Sequence, residues 1–179
     1  MGRFIQTIHD LRSSQEILAS KPYGMIVAEQ GLFQSIQIRP FPKISSLAEA
    51  VWIGGFSHRR IRRDRVQVFY NQPLRHANFL VAKYAVSEFG TTLATLRAAF
   101  KAFNEVARIK QVDAILCHVV NRRITDRFMQ YWGFERHRLA GKGRHYIRRF
   151  YGDFPGYTDW VANQDLKPPV ETPIETWHG

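Results

Sequence analysis

Apolar and polar residues follow two different periods in the second half of the chain. Residues 78–86 and 114–120 are short, nearly continuous apolar segments, which is typical of buried strands. The segment between them has the period of a helix, which we expect to span about 92–110. Its apolar positions recur at steps of three and four: Leu93, Leu96, Phe100, Phe103 and Ala107. A strand, a helix and a strand in this order predict a parallel pair with a right-handed crossover.

A shorter helix and a hairpin are predicted after the second strand. Asn121 is a favourable N-cap for this helix, and Gly133 ends it. Its expected inner face consists of Ile124, Phe128 and Trp132. Residues 134–138 and 144–150 predict two antiparallel strands with two glycines in the turn between them. Because antiparallel strands are added to a parallel pair, we expect an α/β fold with a mixed central sheet and flanking helices.

The first half of the chain has a weaker pattern. Residues 10–20 predict a short helix, and residues 65–70 alternate in polarity as a strand does, with 48–53 as a second candidate strand. Residues 25–38 are apolar without a clear period, so no element is assigned to them.

The chain length and composition fit one folded domain with a tail. The chain has 179 residues, of which 45% are hydrophobic and 23% charged. After Tyr151 the composition changes, and four prolines interrupt an acidic stretch. We therefore expect a single domain over 1–151 and an acidic, proline-containing tail over 152–179.

The cysteine, the apolar segments and the histidines indicate which cellular location and which metal chemistry to expect. Cys117 is the only cysteine, so no intramolecular disulfide can form, which fits a reducing compartment. No apolar segment approaches the ~18 residues of a transmembrane helix, and the N-terminal residues lack an apolar signal core. A cytoplasmic location is expected. The histidines have no metal-ligand spacing such as H-E-x-x-H, so no metal site is expected.

Positive charge is concentrated in the middle of the chain. The net charge is +11, and residues 56–151 hold 20 basic and 6 acidic residues. Such a surplus attracts phosphates, on a nucleic acid, on an anionic membrane surface or on a cofactor such as coenzyme A, although many of these arginines are expected to be simply solvated. The candidate anion-binding or partner-binding residues are Arg59, Arg60, Arg62, Arg63, Arg122, Arg123 and Arg127.

Cys117 and His118 are neighbours on a predicted strand. Successive strand residues point to opposite faces, so these two side chains cannot form a nucleophile–base pair or bind one metal ion. We expect Cys117 to lie in the core. His118 then faces the other side of the sheet, either as a buried histidine with satisfied hydrogen bonds or as a base.

The order of elements resembles the second half of the GNAT family of acyl-CoA N-acyltransferases. Residues 86–134 carry this resemblance, including the Asn121-Arg122-Arg123-Ile124 segment and the Gly133-Phe134 pair after the short helix. It implies an acyl-CoA N-acyltransferase-like fold in which an acyl-CoA donor binds near the first strand of the parallel pair. The acyl-pantetheine arm would then enter between the two parallel strands.

The resemblance implies a pyrophosphate-binding loop after residue 86. The family loop reads Arg/Gln-x-x-Gly-x-Gly/Ala, and in the best register Phe89, Thr92 and Ala94 take the three specified positions, of which Ala94 alone matches. Backbone N–H groups at the start of a helix would hold the pyrophosphate. The implied acyl-CoA-binding residues are Val86, Phe89, Gly90, Thr91, Thr92, Ala94 and Asn121, with the N–H near Val86 polarising the thioester carbonyl.

The resemblance also indicates where catalytic groups would lie. The family's frequent general acid is a tyrosine four residues before the glycine, a position that Met129 takes here. Tyr131 lies two residues away and is the candidate acid, and Glu88 or His118 is the candidate base. The implied reaction is acyl transfer from a thioester to the amine of a small molecule or a protein. The alternative is a catalytically inactive relative that binds nucleic acid or an acidic partner through residues 56–65 and 122–149.

Overall fold

The computed structural model describes residues 6–42, 63–88, 90–119, 124–137 and 143–154. Within these residues, three helices and eight strands follow one another along the chain. The elements are β1 (Gln6–Ile8), α1 (Gln15–Ser20), β2 (Tyr23–Glu29), β3 (Leu32–Ile38), β4 (Arg65–Asn71), β5 (Phe79–Ser87), α2 (Leu93–Ile109), β6 (Ala114–His118), α3 (Asp126–Tyr131), β7 (Glu135–Arg136) and β8 (His145–Arg149).

The eight strands form one sheet in the order β1-β3-β2-β4-β5-β6-β8-β7. β5 and β6 pair in parallel, and the other neighbouring strands of this sheet pair antiparallel. The fold is therefore α/β with a mixed, open sheet, as the sequence predicted. The predicted strand over 48–53, most of the hairpin turn and the tail beyond residue 154 lie outside the described residues.

The apolar segment at 25–38, to which the sequence assigned no element, is part of the β2–β3 hairpin. Gln30 and Gly31 form its two-residue turn, with φ values of 53° and 78°. Two positive φ values in succession give the twist that suits a tight hairpin. β2 lies in the middle of its half of the sheet and is buried on both faces, so its residues show no alternation of polarity.

Helix α2 spans nearly the predicted range, but its buried face differs from the predicted stripe. Leu93 is 53% exposed, and Leu96 and Phe100 are only partly buried. The buried residues are mostly small: Thr95, Ala98, Ala99, Ala102, Phe103, Glu105, Val106 and Ala107. Small side chains let the helix approach β2, β3 and β4 closely, which a stripe of leucines would prevent.

Two helix starts also differ from prediction. α1 begins at Gln15 rather than near residue 10, because the Asp10 carboxylate accepts hydrogen bonds from the N–H groups of Arg12 and Ser13 and forms a turn there. The N-cap of α3 is Thr125, whose hydroxyl accepts from the N–H of Phe128. The predicted cap, Asn121, lies outside the described residues.

One face of the sheet carries the core, together with the three helices. The buried cluster includes Ile26, Tyr70, Leu80, Ile115 and Tyr146 from the strands and Leu18, Phe103 and Met129 from the helices. Cys117 packs against this cluster, and burial raises the pKa of its thiol to about 12. Cys117 is thus a core residue, as predicted, and His118 points to the opposite face.

Lys110 closes the end of α2 and joins three parts of the chain. Its Nζ donates to the carbonyl oxygens of Ala19 and Lys21, at 3.3 and 2.8 Å, and to Oε1 of Gln72 at 3.0 Å. Burial lowers the pKa of this ammonium from 10.5 to about 8.

We expect Lys110 to make the stability of the protein depend on alkaline pH. The folded state releases this proton at a lower pH than the unfolded chain, so between pH 8 and 10.5 the unfolded chain binds more protons. Linkage then makes the free energy of unfolding rise with pH in this window. Relative to Lys110→Met, wild type should gain about 2 kcal/mol between pH 8 and pH 10 in urea denaturation. A constant difference between the two proteins over that range would contradict the buried ammonium.

Candidate functional site

The sheet opens between its two parallel strands. β5 and β6 pair only over Phe79–Ala82 and Ala114–Cys117. Beyond that point β5 stays paired with β4 up to Ser87, and β6 stays paired with β8 up to His118. Beyond the last parallel pair, β5 remains paired with β4 and β6 remains paired with β8, but β5 and β6 no longer pair with each other. An opening in the sheet therefore begins there.

Two backbone N–H groups of β5 point into this opening. The N–H of Glu88 donates to the carbonyl of Arg65 at 3.1 Å, so these residues form a hydrogen-bonded pair of the antiparallel ladder. Such pairs alternate with pairs that do not exchange hydrogen bonds. Val86 therefore pairs with β4, whereas Ala85 and Ser87 direct their N–H groups away from it. A ligand in the opening can therefore reach the N–H groups of Ala85 and Ser87 but not that of Val86.

β5 also carries an irregularity beside the opening. Phe69 pairs with Tyr84 and Tyr70 pairs with Ala82, so Lys83 is an extra residue in the ladder. Such a bulge bends a strand and re-aims its side chains. The bulge lies level with the end of the β5–β6 pairing, and it marks where β5 parts from β6.

His118 stands at the end of β6, beside the opening, and stacks on His145 of β8. The ring centroids are 4.4 Å apart and the planes meet at 18°. The N–H of Val119 donates to the carbonyl of Arg144 at 2.9 Å, so these two residues form a hydrogen-bonded pair of the ladder. The adjacent His118 and His145 therefore form a pair without ladder hydrogen bonds, and side chains lie closest in such pairs. His118 is exposed, so it is not the buried histidine that the sequence offered as one alternative. Its partial burial, and then the positive charge of His145, lower its pKa.

The loop before α2 uses its N–H groups within the protein. The N–H groups of Gly90 and Thr91 donate to the carbonyl of Glu88, at 2.9 and 3.1 Å. The Thr92 N–H donates to Oδ1 of Asp64 at 2.8 Å, and its hydroxyl donates to Oδ2 at 2.9 Å. A carboxylate of this chain thus lies at the positive end of α2, where the resemblance implied a pyrophosphate.

Asp64 ties this helix start to the β2–β3 turn. Its carbonyl accepts from the N–H of Gln30 at 2.9 Å, and the neighbouring Gly31 donates to Oγ1 of Thr95 at 2.7 Å. Burial acts in the opposite direction, but hydrogen bonds from Thr92 and Thr95 lower the pKa of the Asp64 carboxyl. Of the other implied acyl-CoA residues, Ala94 is exposed, and Phe89 and Asn121 lie outside the described residues.

The three catalytic candidates lie apart. Ala82 pairs with Cys117, so along β5 Glu88 stands roughly 15 Å beyond the level of His118, at about 3.3 Å per residue. Glu88 and His118 therefore cannot act on the same atom and are alternatives for the base. Tyr131 is 70% exposed at the end of α3, on the helix-covered side of the sheet.

Two of the seven candidate anion-binding arginines are described. Arg63 and Arg127 are both exposed. The remaining five lie outside the described residues: Arg59, Arg60, Arg62, Arg122 and Arg123.

The arginines of the closing hairpin are largely engaged within the protein. Arg136 pairs with Asp126 at 3.1 Å, and Arg149 pairs with Glu135 at 3.0 Å. Arg144 donates to the carbonyl of Ile124 at 2.6 Å, and Arg148 donates to that of Trp132 at 2.8 Å. These four side chains fasten α3 and β7 to the sheet, which reduces the basic surface that is left for a partner.

Three residues of this region were not predicted from sequence. Asp64 caps a helix that begins far along the chain, and His145 meets His118 only through the β6–β8 register. Tyr146 donates to Oδ1 of Asp126. Because successive strand residues face opposite sides of a sheet, the sequence does indicate that Tyr146 and His145 lie on opposite faces. No local sequence pattern indicates that Asp64 caps α2.

Within the described ranges, no group of three or more His, Cys, Asp and Glu side chains is placed to hold a metal ion. No helix in the same part of the chain is long and apolar enough to cross a membrane.

The class that the fold defines is an α/β protein with a mixed, open sheet that splits at its parallel pair. A comparison with models of known protein families gives no match, and no curated protein matches the sequence.

Proposed function

We propose that this chain is an N-acyltransferase that moves an acyl group from an acyl-CoA thioester to an amine. The opening between β5 and β6 carries the proposal. Ala85 and Ser87 offer N–H donors there to an extended ligand that itself bears amide groups. The acyl-pantetheine arm of coenzyme A is narrow, extended and rich in amides, so it suits an unpaired strand edge. A split parallel pair whose two strands are joined by a long helix is also the arrangement that the GNAT resemblance implies.

His118 is the proposed base. Its lowered pKa keeps the imidazole neutral near pH 7, where it can accept a proton. The amine nitrogen attacks the thioester carbonyl carbon, and the N–H of Ala85 stabilises the negative charge on the carbonyl oxygen. The C–S bond then breaks, and the thiolate leaves with the bonding pair. His118 takes the proton that the amine loses, and solvent protonates the thiolate.

Glu88 is the alternative base, at the far end of the opening. It is half-buried, and its Oε2 has no hydrogen-bond partner among the described residues. A base at this position would act on an acceptor bound near the start of α2, whereas His118 would act near the last β5–β6 pair. Tyr131 receives no role, because it lies on the other side of the sheet from His118.

The loop before α2 favours a second candidate function. Gly90, Thr91 and Thr92 already direct their N–H groups to acceptors within the chain, and the carboxylate of Asp64 repels an incoming pyrophosphate. A non-catalytic protein that binds nucleic acid or an acidic partner through basic residues does not need this loop. Arg63 and Arg127, both exposed, would belong to such a surface.

Calorimetric titration with acetyl-CoA in about 0.15 M salt separates the two functions. An N-acyltransferase should bind one acetyl-CoA per chain, more tightly than it binds ADP or a short DNA duplex, and should keep that binding when salt is added. Binding that DNA matches and that salt abolishes would support the second function and overturn the first.

Ala85→Pro tests the strand edge. Proline removes the N–H that faces the opening and leaves the hydrogen bonds between β5 and β4 in place. We expect acetyl-CoA affinity to fall about tenfold, which corresponds to the loss of one hydrogen bond. DNA binding by the same variant should equal that of wild type. An unchanged acetyl-CoA affinity in a folded variant would remove the opening as the binding site.

A further inference from the structure

The stacked histidines lie close enough for two like charges to repel each other. His118 and His145 are directly opposite on neighbouring strands, with ring centroids 4.4 Å apart. A proton on one ring raises the cost of placing a proton on the other, because two unit charges at this separation interact even in water. The strand register, rather than a flexible loop, sets this distance.

Gly143 lies close to the rings of both His118 and His145. A Cβ at this position would lie 2.7 Å from Nε2 of His118 and 3.0 Å from Nε2 of His145. The φ of Gly143 is 150°, in a region that side-chain-bearing residues rarely adopt. The backbone therefore passes close to both Nε2 atoms and limits how far either ring can turn.

We propose that His118 and His145 act as one unit in which a proton on one ring opposes a proton on the other, with His145 the positioning residue that keeps the His118 ring in place. This inference rests on the proposed N-acyltransferase function, in which His118 is the base. A neutral ring is needed there because an imidazolium has no lone pair to accept the proton of the attacking amine.

Other charged groups lie around the pair. His137 follows β7, and its N–H donates to the carbonyl of His145, so it continues the row of histidines on the outer side. On β5 the nearest cation is Lys83, level with the last parallel pair. The opposite-facing Arg144 and Tyr146 of β8 bond to the α3 region instead. Arg122, Arg123, Arg138 and Lys142 lie outside the described residues. Among the described residues, the ring that stacks on His118 is that of His145.

The proton balance of the unit is simple. The amine transfers one proton to His118, giving one imidazolium in the pair. This proton passes to solvent before the next turnover. The positioning role thus predicts an effect on the pH dependence of turnover rather than on donor binding.

Histidine NMR titration of the full chain tests the unit without any substrate. His145→Phe keeps an aromatic ring against His118 but removes its charge, so the titration midpoint of His118 should rise. His137→Phe, a matched change one strand further out, should leave that midpoint unchanged. A His118 midpoint that is the same in wild type and His145→Phe would overturn the inference.

Kinetics separate this inference from the proposed function. The measured reaction is thiol release from acetyl-CoA with butylamine and a lysine-containing peptide as acceptor probes. His118→Ala should lower the rate about 100-fold. His145→Phe should shift the acidic limb of the kcat profile to higher pH, with an unchanged KM for acetyl-CoA. If the NMR midpoint moves but wild type transfers no acyl group, the coupled pair stands and the proposed function fails. If wild type is active and His145→Phe leaves the profile unshifted, the positioning role fails.

Discussion

Replacement of Gly24 by alanine should destabilise the protein by about 3 kcal/mol, the upper part of the range for an overpacked core. Gly24 pairs with Tyr70 across β2 and β4, and the tyrosine ring lies over the space where a side chain would be. A Cβ on Gly24 would lie 2.5 Å from the hydroxyl oxygen of Tyr70, 2.6 Å from Cζ and 2.8 Å from Cε1. Tyr70 is fully buried against Phe103, so its ring has no space into which to move. Urea denaturation of the variant measures the loss.

Two further variants show whether the clash is the cause. Gly152→Ala meets no atom within 4 Å but has a φ of 82°, so it should cost only about 1 kcal/mol, from backbone strain. Gly24→Ala with Tyr70→Leu removes the ring and should recover part of the loss, whereas Gly24→Ala with Tyr70→Phe should recover less because Cζ and Cε1 remain. If Gly24→Ala cost no more than Gly152→Ala, the close packing of Tyr70 would be refuted.

The parts of the fold that were predicted are those with a single local period. β5, α2 and β6 were all placed within a few residues, because each is continuous and apolar or strictly periodic. The β2–β3 hairpin was missed because β2 is buried on both faces, which removes alternation. Leu93 was assigned to the core by helical spacing, yet it is exposed at the first turn of α2 because alanines fill the face next to the sheet.

The candidate site depends on long-range placement that a local pattern does not contain. His118 was identified from its position on β6, but its partner His145 required the β6–β8 register. The family resemblance implied a pyrophosphate at the loop before α2, yet Asp64 occupies that helix start from another part of the chain. The sequence thus predicted β5, α2 and β6 closely, and the tertiary fold decided which of their ends stay open.

Replacement of Arg108 by methionine should destabilise the protein by about 3 kcal/mol at pH 7. The Glu105 side chain has no exposed surface, and Arg108 holds it through Nε to Oε2 at 2.8 Å and through Nη2 to Oε1. Methionine has nearly the length of this stem but none of its donors, so a buried carboxylate would lose its neighbouring positive charge. Thermal or urea unfolding of the variant measures the cost.

The size of that cost should depend on pH and on Glu105. Burial raises the pKa of Glu105 in the folded state, although the hydrogen bonds and charge of Arg108 oppose the rise. Without Arg108 the pKa rises further, so protonation relieves more of the cost as the pH falls. The stability difference between wild type and Arg108→Met should therefore shrink between pH 7 and pH 5. Glu105→Met with Arg108→Met removes both charges and should lie within about 1 kcal/mol of wild type. If this double variant were as unstable as Arg108→Met, the cost would come from the lost packing of the arginine stem and not from the buried charge.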